Sequence, residues 1–296
     1  MGEVELFIKA SHRLGEAIIW HEAHRCLYWI DLLDPVLFRH DPVSAKTQSW
    51  PLPLDAPIGA IVATENPDHL LITHRQGLSL LRISDLSFEV YCDPEGGRDA
   101  IIWNDAKCDR WGRVWAGSSH AFEKEARGAL WCVKDRQRFS LGDAGFAISN
   151  GPAVSPDGGT LYFNDSLGRT TFAYDITEGD LHPRNRRPLI QFTPEDGLPD
   201  GIITDAEGCL WIAHWGGARI THYSPDGRLI AAYPVPAHNV TTMCFAGPDF
   251  STLYITTARD GLDAAALAEM PLSGSLFKMQ TATHGLPEPL FQLNRN

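Results

Sequence analysis

No apolar run in this 296-residue sequence approaches the roughly 18 residues that a membrane-spanning helix needs. Residues 1–10 contain neither the apolar stretch nor the cleavage site of a secretion signal. The six cysteines are spread along the chain without a C-x-x-C pair, and their spacing implies no disulfide. These absences predict a protein without a membrane partner that works in the reducing cytoplasm.

An excess of basic residues is also missing, because the formal net charge is −12. A nucleic-acid-binding surface needs clustered Lys and Arg to displace the counterions of the phosphate backbone. The two basic clusters, residues 134–138 and 184–187, are interpreted as solvated turns. The chain has no Walker loop, G-x-G-x-x-G or G-x-S-x-G motif. A nucleic-acid partner is therefore not expected.

A repeat of a turn followed by a short apolar strand occurs six times. The aliphatic residues that open these strands are separated by 43, 44, 47, 49 and 43 residues, and they are Leu27, Leu70, Val114, Leu161, Leu210 and Leu253. This period, with Asp-Gly hairpin turns, is typical of propeller blades. Helical periodicity is nearly absent apart from residues 263–270. We predict an all-β fold, a six-bladed β-propeller of four-stranded antiparallel blades, formed as one domain by residues 1–296.

The ends of the chain are expected to meet in the last blade. An N-terminal strand at residues 3–8 would pair beside residues 275–279, because a closed ring leaves few open strand edges. The tryptophans at repeated strand positions are expected to pack between blades. A β-sandwich or an irregular solenoid is the alternative fold, and six recurrences at a nearly constant period disfavour it.

Oxygen-bearing side chains occupy the same place ahead of the repeated strand in four blades. Each lies ten or eleven residues before its aliphatic residue, and the four are Glu16, Asn104, Asn150 and Asp200. Equivalent positions of a radial repeat converge on one axis. The corresponding residues of the other two blades are small, Gly59 and Thr241 or Thr242, which predicts open space there. Taken singly, each polar residue could instead bond to backbone at a strand start.

Carboxylate and amide oxygens together suit hard or borderline divalent cations such as Ca²⁺, Mg²⁺, Mn²⁺ or Fe²⁺, with Zn²⁺ less favoured. Three or four protein oxygens leave coordination positions for water and substrate, which is typical of catalysis.

Two other motifs carry less weight. The residues from His21 to His24 resemble a metal pair but fall in a turn, and His214 could line a substrate mouth but fits a loop or packing role better.

Several of these segments resemble the SMP-30/gluconolactonase family of six-bladed propellers, which includes regucalcin and bacterial sugar lactonases. The matching segments are Leu14-Gly15-Glu16 with Trp20, Asn104-Asp105, Ser149-Asn150-Gly151 with Ser155-Pro156-Asp157-Gly158, Pro199-Asp200-Gly201, and Trp215-Gly216-Gly217. Residues 236–262 look most like bacterial xylonolactonases and arabinolactonases. The resemblance covers nearly the whole chain.

The resemblance implies one divalent cation (Fe²⁺, Ca²⁺, Mn²⁺, Mg²⁺ or Zn²⁺) held by Glu16, Asn150 and Asp200, with Asn104 contacting the substrate. It also implies hydrolysis of a sugar lactone to the sugar acid. The cation would polarise the carbonyl, and a carboxylate, for which Asp200 is the candidate, would take a proton from the attacking water. Ile102 stands where many relatives carry an arginine that holds substrate hydroxyls, so altered sugar recognition is expected.

Two further functions remain open on the sequence. A cation and a carboxylate on a propeller also suit hydrolysis of another ester, such as an organophosphate. The chain could alternatively bind a divalent cation without catalysis. The fold alone does not choose among these functions, because propellers host many of them.

Overall fold

The strands form six four-stranded sheets in the computed structural model, which describes residues 2–293. The chain begins with β1 Glu5–Ile8 and continues through blade 1 as β2 Gly15–His21, β3 Cys26–Asp31, β4 Val36–Asp41 and β5 Lys46–Pro51. Blade 2 contains β6 Ile58–Ala63, β7 His69–His74, β8 Gly77–Arg82 and β9 Phe88–Cys92. Blade 3 contains β10 Ile101–Cys108, β11 Val114–His120, β12 Gly128–Val133 and β13 Phe139–Phe146.

The second half of the chain continues the same pattern. Blade 4 contains β14 Ser149–Val154, β15 Thr160–Asp165, β16 Thr170–Asp175 and β17 Arg184–Gln191. Blade 5 follows a 3₁₀ turn at Pro194–Asp196 and contains β18 Leu198–Thr204, β19 Leu210–Trp215, β20 Arg219–Tyr223 and β21 Leu229–Pro234. Blade 6 contains β22 Asn239–Ala246, β23 Thr252–Ala258, β24 Leu276–Gln280 and, from the other end of the chain, β1.

The first strands of the blades form the ring around the axis. Each contacts the first strand of the next blade, from β2 through β6, β10, β14 and β18 to β22, and β22 contacts β2 again. Blade 6 takes its fourth strand from β1, which pairs antiparallel with β24 through Glu5 opposite Lys278. The predicted six-bladed propeller is therefore confirmed, and so is the expected pairing of the two ends.

Six apolar clusters, one between each neighbouring pair of blades, make up the core of the described residues. All six repeated aliphatic residues, from Leu27 to Leu253, are 0% exposed. Trp29, Trp115 and Trp211 are buried in three of these clusters, as the sequence predicted. Alternating side chains of the inner strands therefore face neighbouring blades on both sides, and burial of this surface drives the closure of the ring.

Turn aspartates hold the hairpin between the first two strands of two blades. Asp109 accepts the Trp115 indole N–H at 2.9 Å and pairs with the Arg113 guanidinium at 2.7 Å. In blade 5, Asp205 accepts the Trp211 indole N–H at 3.0 Å. Each aspartate thus joins its turn to a tryptophan of the core, which explains why Asp recurs in the repeat.

The chain after blade 5 adds a short helix and a C-terminal segment. Helix α1 Ala264–Glu269 is capped by the Asp263 carboxylate, which accepts from the Ala266 N–H at 2.9 Å, in agreement with the predicted helix. Within residues 2–293, no helix has the length and apolar character to span a membrane. Beyond β24, the segment 281–293 returns to blades 2 and 3, where the Phe291 N–H donates to the Ala63 carbonyl at 2.9 Å.

Candidate active site

The pairing of the innermost strands is interrupted at the same point in all six blades. The register between the first and second strand of each blade shifts there, and the flanking residues are Glu16/Ile19, Ile58/Ile61, Trp103/Ala106, Asn150/Ala153, Pro199/Ile202 and Val240/Met243. One extra residue on the first strand makes each shift a β-bulge, which bends a strand and re-aims its side chains. All four predicted site residues lie at such bulges.

The four residues are staggered by one position relative to these bulges. Glu16 and Asn150 are the last paired residues before their bulges. Asn104 and Asp200 are the first residues inside theirs. The sequence suggested that the four residues share one position in the repeat, but the structure shows two different positions. The bulges bring the side chains at both positions to the same cavity.

That cavity has a volume of about 510 Å³ and lies at one end of the axis. Its lining includes all four predicted residues, Glu16, Asn104, Asn150 and Asp200. Blades 1, 3, 4 and 5 each contribute one of them. Glu16, Asn150 and Asp200 expose only 5%, 8% and 5% of their surface, so their oxygen atoms are largely withdrawn from bulk water.

The small residues of blades 2 and 6 do not leave the open space that we expected. A Cβ added at Gly59 would lie 2.4 Å from Thr73 Oγ1 and 2.5 Å from the Asn104 carbonyl oxygen. Thr241 is fully buried and donates to the Gly15 carbonyl at 2.6 Å. That expectation was wrong because small residues at these positions allow neighbouring strands to approach closely.

Hydrogen bonds connect the polar side chains across blades 3, 4 and 5. Asn104 Nδ2 donates to Asn150 Oδ1 and to the Ser149 carbonyl, each at 2.7 Å. Asn150 Nδ2 donates to Ser166 Oγ at 2.9 Å, and Ser166 Oγ donates to the Pro199 carbonyl at 2.7 Å. These bonds fix the orientation of both amides, with the oxygen of Asn104 left as an acceptor.

Three carboxyl groups influence one another at the base of the cavity. Burial raises the pKa of Glu16 well above its usual range, and the charges of Asp105 and Asp200 raise it further. Burial and the charge of Asp105 raise the pKa of Asp200 in the same way. Burial also raises the pKa of Asp105 to about 6, although the Gly151 N–H donates to it at 3.1 Å. Desolvation thus opposes ionisation of all three groups. Repulsion by neighbouring carboxylates adds to it at Glu16 and Asp200, whereas the charge of Lys107 favours ionisation of Asp105.

A divalent cation fits this set of donors. Among residues 2–293, no lysine or arginine forms an ion pair with Glu16 or Asp200, so their negative charge lacks a basic partner. A cation would offset both the desolvation and the repulsion. Glu16, Asn150 and Asp200 offer oxygen ligands of the kind that hard cations prefer. The chemistry of these residues therefore suits a divalent cation, and the metal site stays a prediction.

Two further residues of the site were not predicted from the sequence. Asp105 follows Asn104 inside the bulge of β10, and its charge acts on both Glu16 and Asp200. Glu123 lines the cavity from the loop after β11, where its φ is 56°. Burial and the charge of Asp260 raise the pKa of Glu123. The Asn104-Asp105 pair was a usable signal for Asp105, whereas nothing in the sequence marks Glu123.

The histidine motifs take structural positions. His21 ends β2 and stacks at a ring-centroid distance of 4.1 Å on His24, which lies in the following turn as expected. His214 is fully buried, and its Nε2 lies 2.7 Å from Thr221 Oγ1, which confirms the packing interpretation. Its neighbour Trp215 lines the cavity instead.

A second group of potential metal ligands lies outside the cavity. One atom each of Asp205, Cys209 and His222 falls within 4.8 Å of the others. The carboxylate of Asp205 already accepts the Trp211 indole N–H and the Cys209 backbone N–H, at 3.0 and 2.9 Å. Burial and the charge of Asp205 raise the pKa of the Cys209 thiol, which disfavours the thiolate that metals bind. We interpret this group as the blade 5 counterpart of the Asp109 turn.

Several known proteins resemble the chain over nearly its full length. A 6-deoxy-6-sulfogluconolactonase of Pseudomonas putida is 33% identical over 279 residues, which cover 94% of each chain. An L-arabinolactonase of Azospirillum brasilense is 32% identical over 98% of this chain and 96% of its own. The crystal structure of a calcium-binding protein, regucalcin, from Agrobacterium tumefaciens superposes with a TM-score of 0.92 at 27% identity, covering 97% of both chains.

The sequence family that matches is described as the SMP-30/Gluconolactonase/LRE-like region, and the match covers residues 14–259. This range begins just before Glu16 and includes Asn104, Asn150 and Asp200. The family resemblance suggested by the sequence motifs is thereby confirmed. The chain belongs to the SMP-30/gluconolactonase/LRE-like family.

Proposed function

We propose that this chain hydrolyses a sugar lactone to the corresponding sugar acid with the help of one divalent cation. The observation that carries the proposal is the meeting of oxygen donors from four blades in one cavity. Relatives named as lactonases, at 33% and 32% identity over nearly the whole chain, support the reaction class. The calcium-binding description of the regucalcin structure supports a divalent cation, and Ca²⁺ is one candidate.

We assign Glu16, Asn150 and Asp200 as the residues that would hold the cation. When bound, it would supply Lewis-acid polarisation of the lactone carbonyl. The hydrogen bond from Asn104 to Asn150 keeps the amide oxygen of Asn150 directed into the site. Beside it, the side-chain amide oxygen of Asn104 remains free, and we assign Asn104 to contact the substrate.

Asp200 is the proposed general base. Its carboxylate lies in the bulge of β18 and lines the cavity beside the proposed cation. A carboxylate held within reach of the attacking water can take its proton in the transition state. The proton would then pass to the ring oxygen as the acyl bond breaks, which yields a hydroxy acid.

The test combines metal removal with one substitution. Purified protein is stripped with a chelator and assayed by pH-stat on γ- and δ-lactones of pentonic and hexonic acids, with each divalent metal restored in turn. We expect chelation to abolish turnover and one or more metals to restore it. Asp200→Asn should lose about 100- to 10,000-fold in kcat, the range of general-base contributions, while its thermal unfolding stays cooperative.

Asp226→Asn is the matched control, because Asp226 lies in an exposed turn of the same blade and bonds only locally to Ser224. This variant should keep full turnover. Turnover that persists in metal-free Asp200→Asn protein would overturn the proposal. Faster turnover of phosphotriesters than of any lactone would favour the organophosphate alternative, and tight metal binding without turnover would favour a cation-binding propeller.

A further inference from the structure

Aliphatic side chains form a layer directly outside the oxygen donors. In each of the four blades, the residue two positions before the site residue is aliphatic and lines the same cavity: Leu14, Ile102, Ile148 and Leu198. Side chains two residues apart lie on the same face of a strand. The four residues therefore form an aliphatic collar in the cavity wall next to the oxygen donors.

The outer part of the cavity is also largely apolar. Leu33, Phe122 and Trp215 line it beyond the collar. Phe122 exposes 68% of its surface and so offers an aromatic face at the cavity. The charged side chains at the cavity that are not part of the donor set are Arg75, Glu123 and Asp260.

Most hydrogen-bond donors near the base of the cavity are already occupied. Asn104 Nδ2 uses both of its protons, on the Ser149 carbonyl and on Asn150 Oδ1. The Ser166 hydroxyl donates to the Pro199 carbonyl. A fully hydroxylated sugar lactone brings several hydroxyl groups, and each one buried against carbon without a partner weakens binding. The collar therefore disfavours hydroxyl groups on the part of the substrate that it surrounds.

We propose that the preferred lactone of this site is hydroxyl-poor, with a deoxy or alkyl substituent that lies against the aliphatic collar. This inference rests on the proposed lactone hydrolysis and shifts the preferred substrate from a fully hydroxylated sugar lactone to a deoxy or alkyl lactone. The reaction is unchanged: the bond from the acyl carbon to the ring oxygen breaks, and the water oxygen bonds to the acyl carbon. The proton released by water ends on the freed hydroxyl, so no oxidant or reductant takes part.

Three γ-lactones with the same five-membered ring test the proposal on the metal-loaded protein. γ-Valerolactone has the carbon skeleton of γ-pentonolactone without its hydroxyl groups, and γ-octanolactone adds three methylenes to the side chain. Each methylene buried against the collar should raise kcat/KM by about fourfold, the value of its transfer from water. We expect kcat/KM to rise from γ-pentonolactone through γ-valerolactone to γ-octanolactone.

Substitutions in the collar and the apolar wall test which surface determines the preference for alkyl lactones. Ile102→Thr keeps the branched shape and introduces a hydroxyl, so it should lower kcat/KM for γ-octanolactone about tenfold relative to γ-pentonolactone. Phe122→Ala should act in the same direction, because it removes apolar surface. Ile230→Thr and Phe139→Ala are the matched controls, since both residues lie on outer strands of their blades and are 49% and 36% exposed.

The outcomes separate the two proposals. Faster turnover of γ-pentonolactone than of both alkyl lactones would overturn the inference and leave lactone hydrolysis standing. An unchanged lactone preference in both Ile102→Thr and Phe122→Ala would overturn the assignment of selectivity to the apolar wall. Absence of turnover on all three lactones, together with the pentono- and hexonolactones, would overturn the proposed function itself.

Discussion

The position of Asp200 depends on the residue that follows it. A Cβ added at Gly201 would lie 2.3 Å from Thr242 Oγ1 and 2.8 Å from the Thr241 carbonyl oxygen. One of these contacts is with backbone, so β22 itself would have to move. Glycine at 201 therefore allows β18 and β22 to approach closely beside the site.

Gly201→Ala should consequently destabilise the fold by about 1–3 kcal/mol, the usual cost of overpacking. It should also lower kcat, because the shift of β18 displaces Asp200. Urea unfolding and lactone kinetics would measure the two effects. Gly159→Ala is the control, since its added Cβ would meet nothing nearer than 3.5 Å. Equal stability of the two variants would contradict this account of the strand packing.

The sequence identified the donors that line the cavity but only part of their arrangement. The one-position offset between the site residues was already present in the sequence spacing. Glu16 and Asn150 lie eleven residues before the aliphatic residue of their repeat, whereas Asn104 and Asp200 lie ten residues before theirs. Asp105 was missed because strand alternation directs neighbouring side chains to opposite faces, and only a bulge relaxes that rule. Glu123 was missed because the conformation of its loop depends on tertiary contacts.

Among the structural elements, the turn that opens the second strand of each blade does most to fix blade geometry. In blade 3, Asp109 accepts the backbone N–H groups of Trp111 and Arg113, each at 3.0 Å. Its second oxygen pairs with the Arg113 guanidinium, and both side chains are almost completely buried, at 0% and 1% exposed. The repeat was recognisable in the sequence because five of its six turns carry an Asp two to five residues before the aliphatic residue of the strand.

Asp109→Asn should destabilise the protein by about 3–5 kcal/mol, because it leaves the buried Arg113 charge without its carboxylate. The equivalent change in blade 4, Asp157→Asn, should cost about 1 kcal/mol or less, because Asp157 lies at an exposed turn. Thermal and urea unfolding of the two variants would give the comparison. Similar costs for both would contradict a special role for the buried pair.

At the scale of the whole molecule, the C-terminal segment 281–293 contacts blades 2 and 3, which lie far from it along the chain. Phe291 is fully buried and meets the Tyr91 ring edge-on at a centroid distance of 5.3 Å. Lys107 of β10 pairs with Glu288 of the segment at 2.7 Å. These contacts could not be predicted from the sequence, because the segment has no repeat counterpart and no strand pattern.

Phe291→Ala should cost about 3–5 kcal/mol, as expected for an aromatic residue removed from a packed core. The neighbouring Leu290 is 45% exposed, so Leu290→Ala should change stability little. Urea unfolding of both variants measures the difference. A cost for Phe291→Ala no larger than that for Leu290→Ala would show that the segment does not hold blades 2 and 3.

The pairing of β1 with β24 also has a consequence for biosynthesis. The ribosome synthesises β1 first and β24 only after the strands of the other five blades. β1 therefore has no partner strand until almost the whole protein has been made. Until then the nascent chain carries an open strand edge and two uncovered apolar blade faces, both prone to aggregation. Slow translation would lengthen this vulnerable interval, and chaperones that shield exposed strands would have their greatest effect during it.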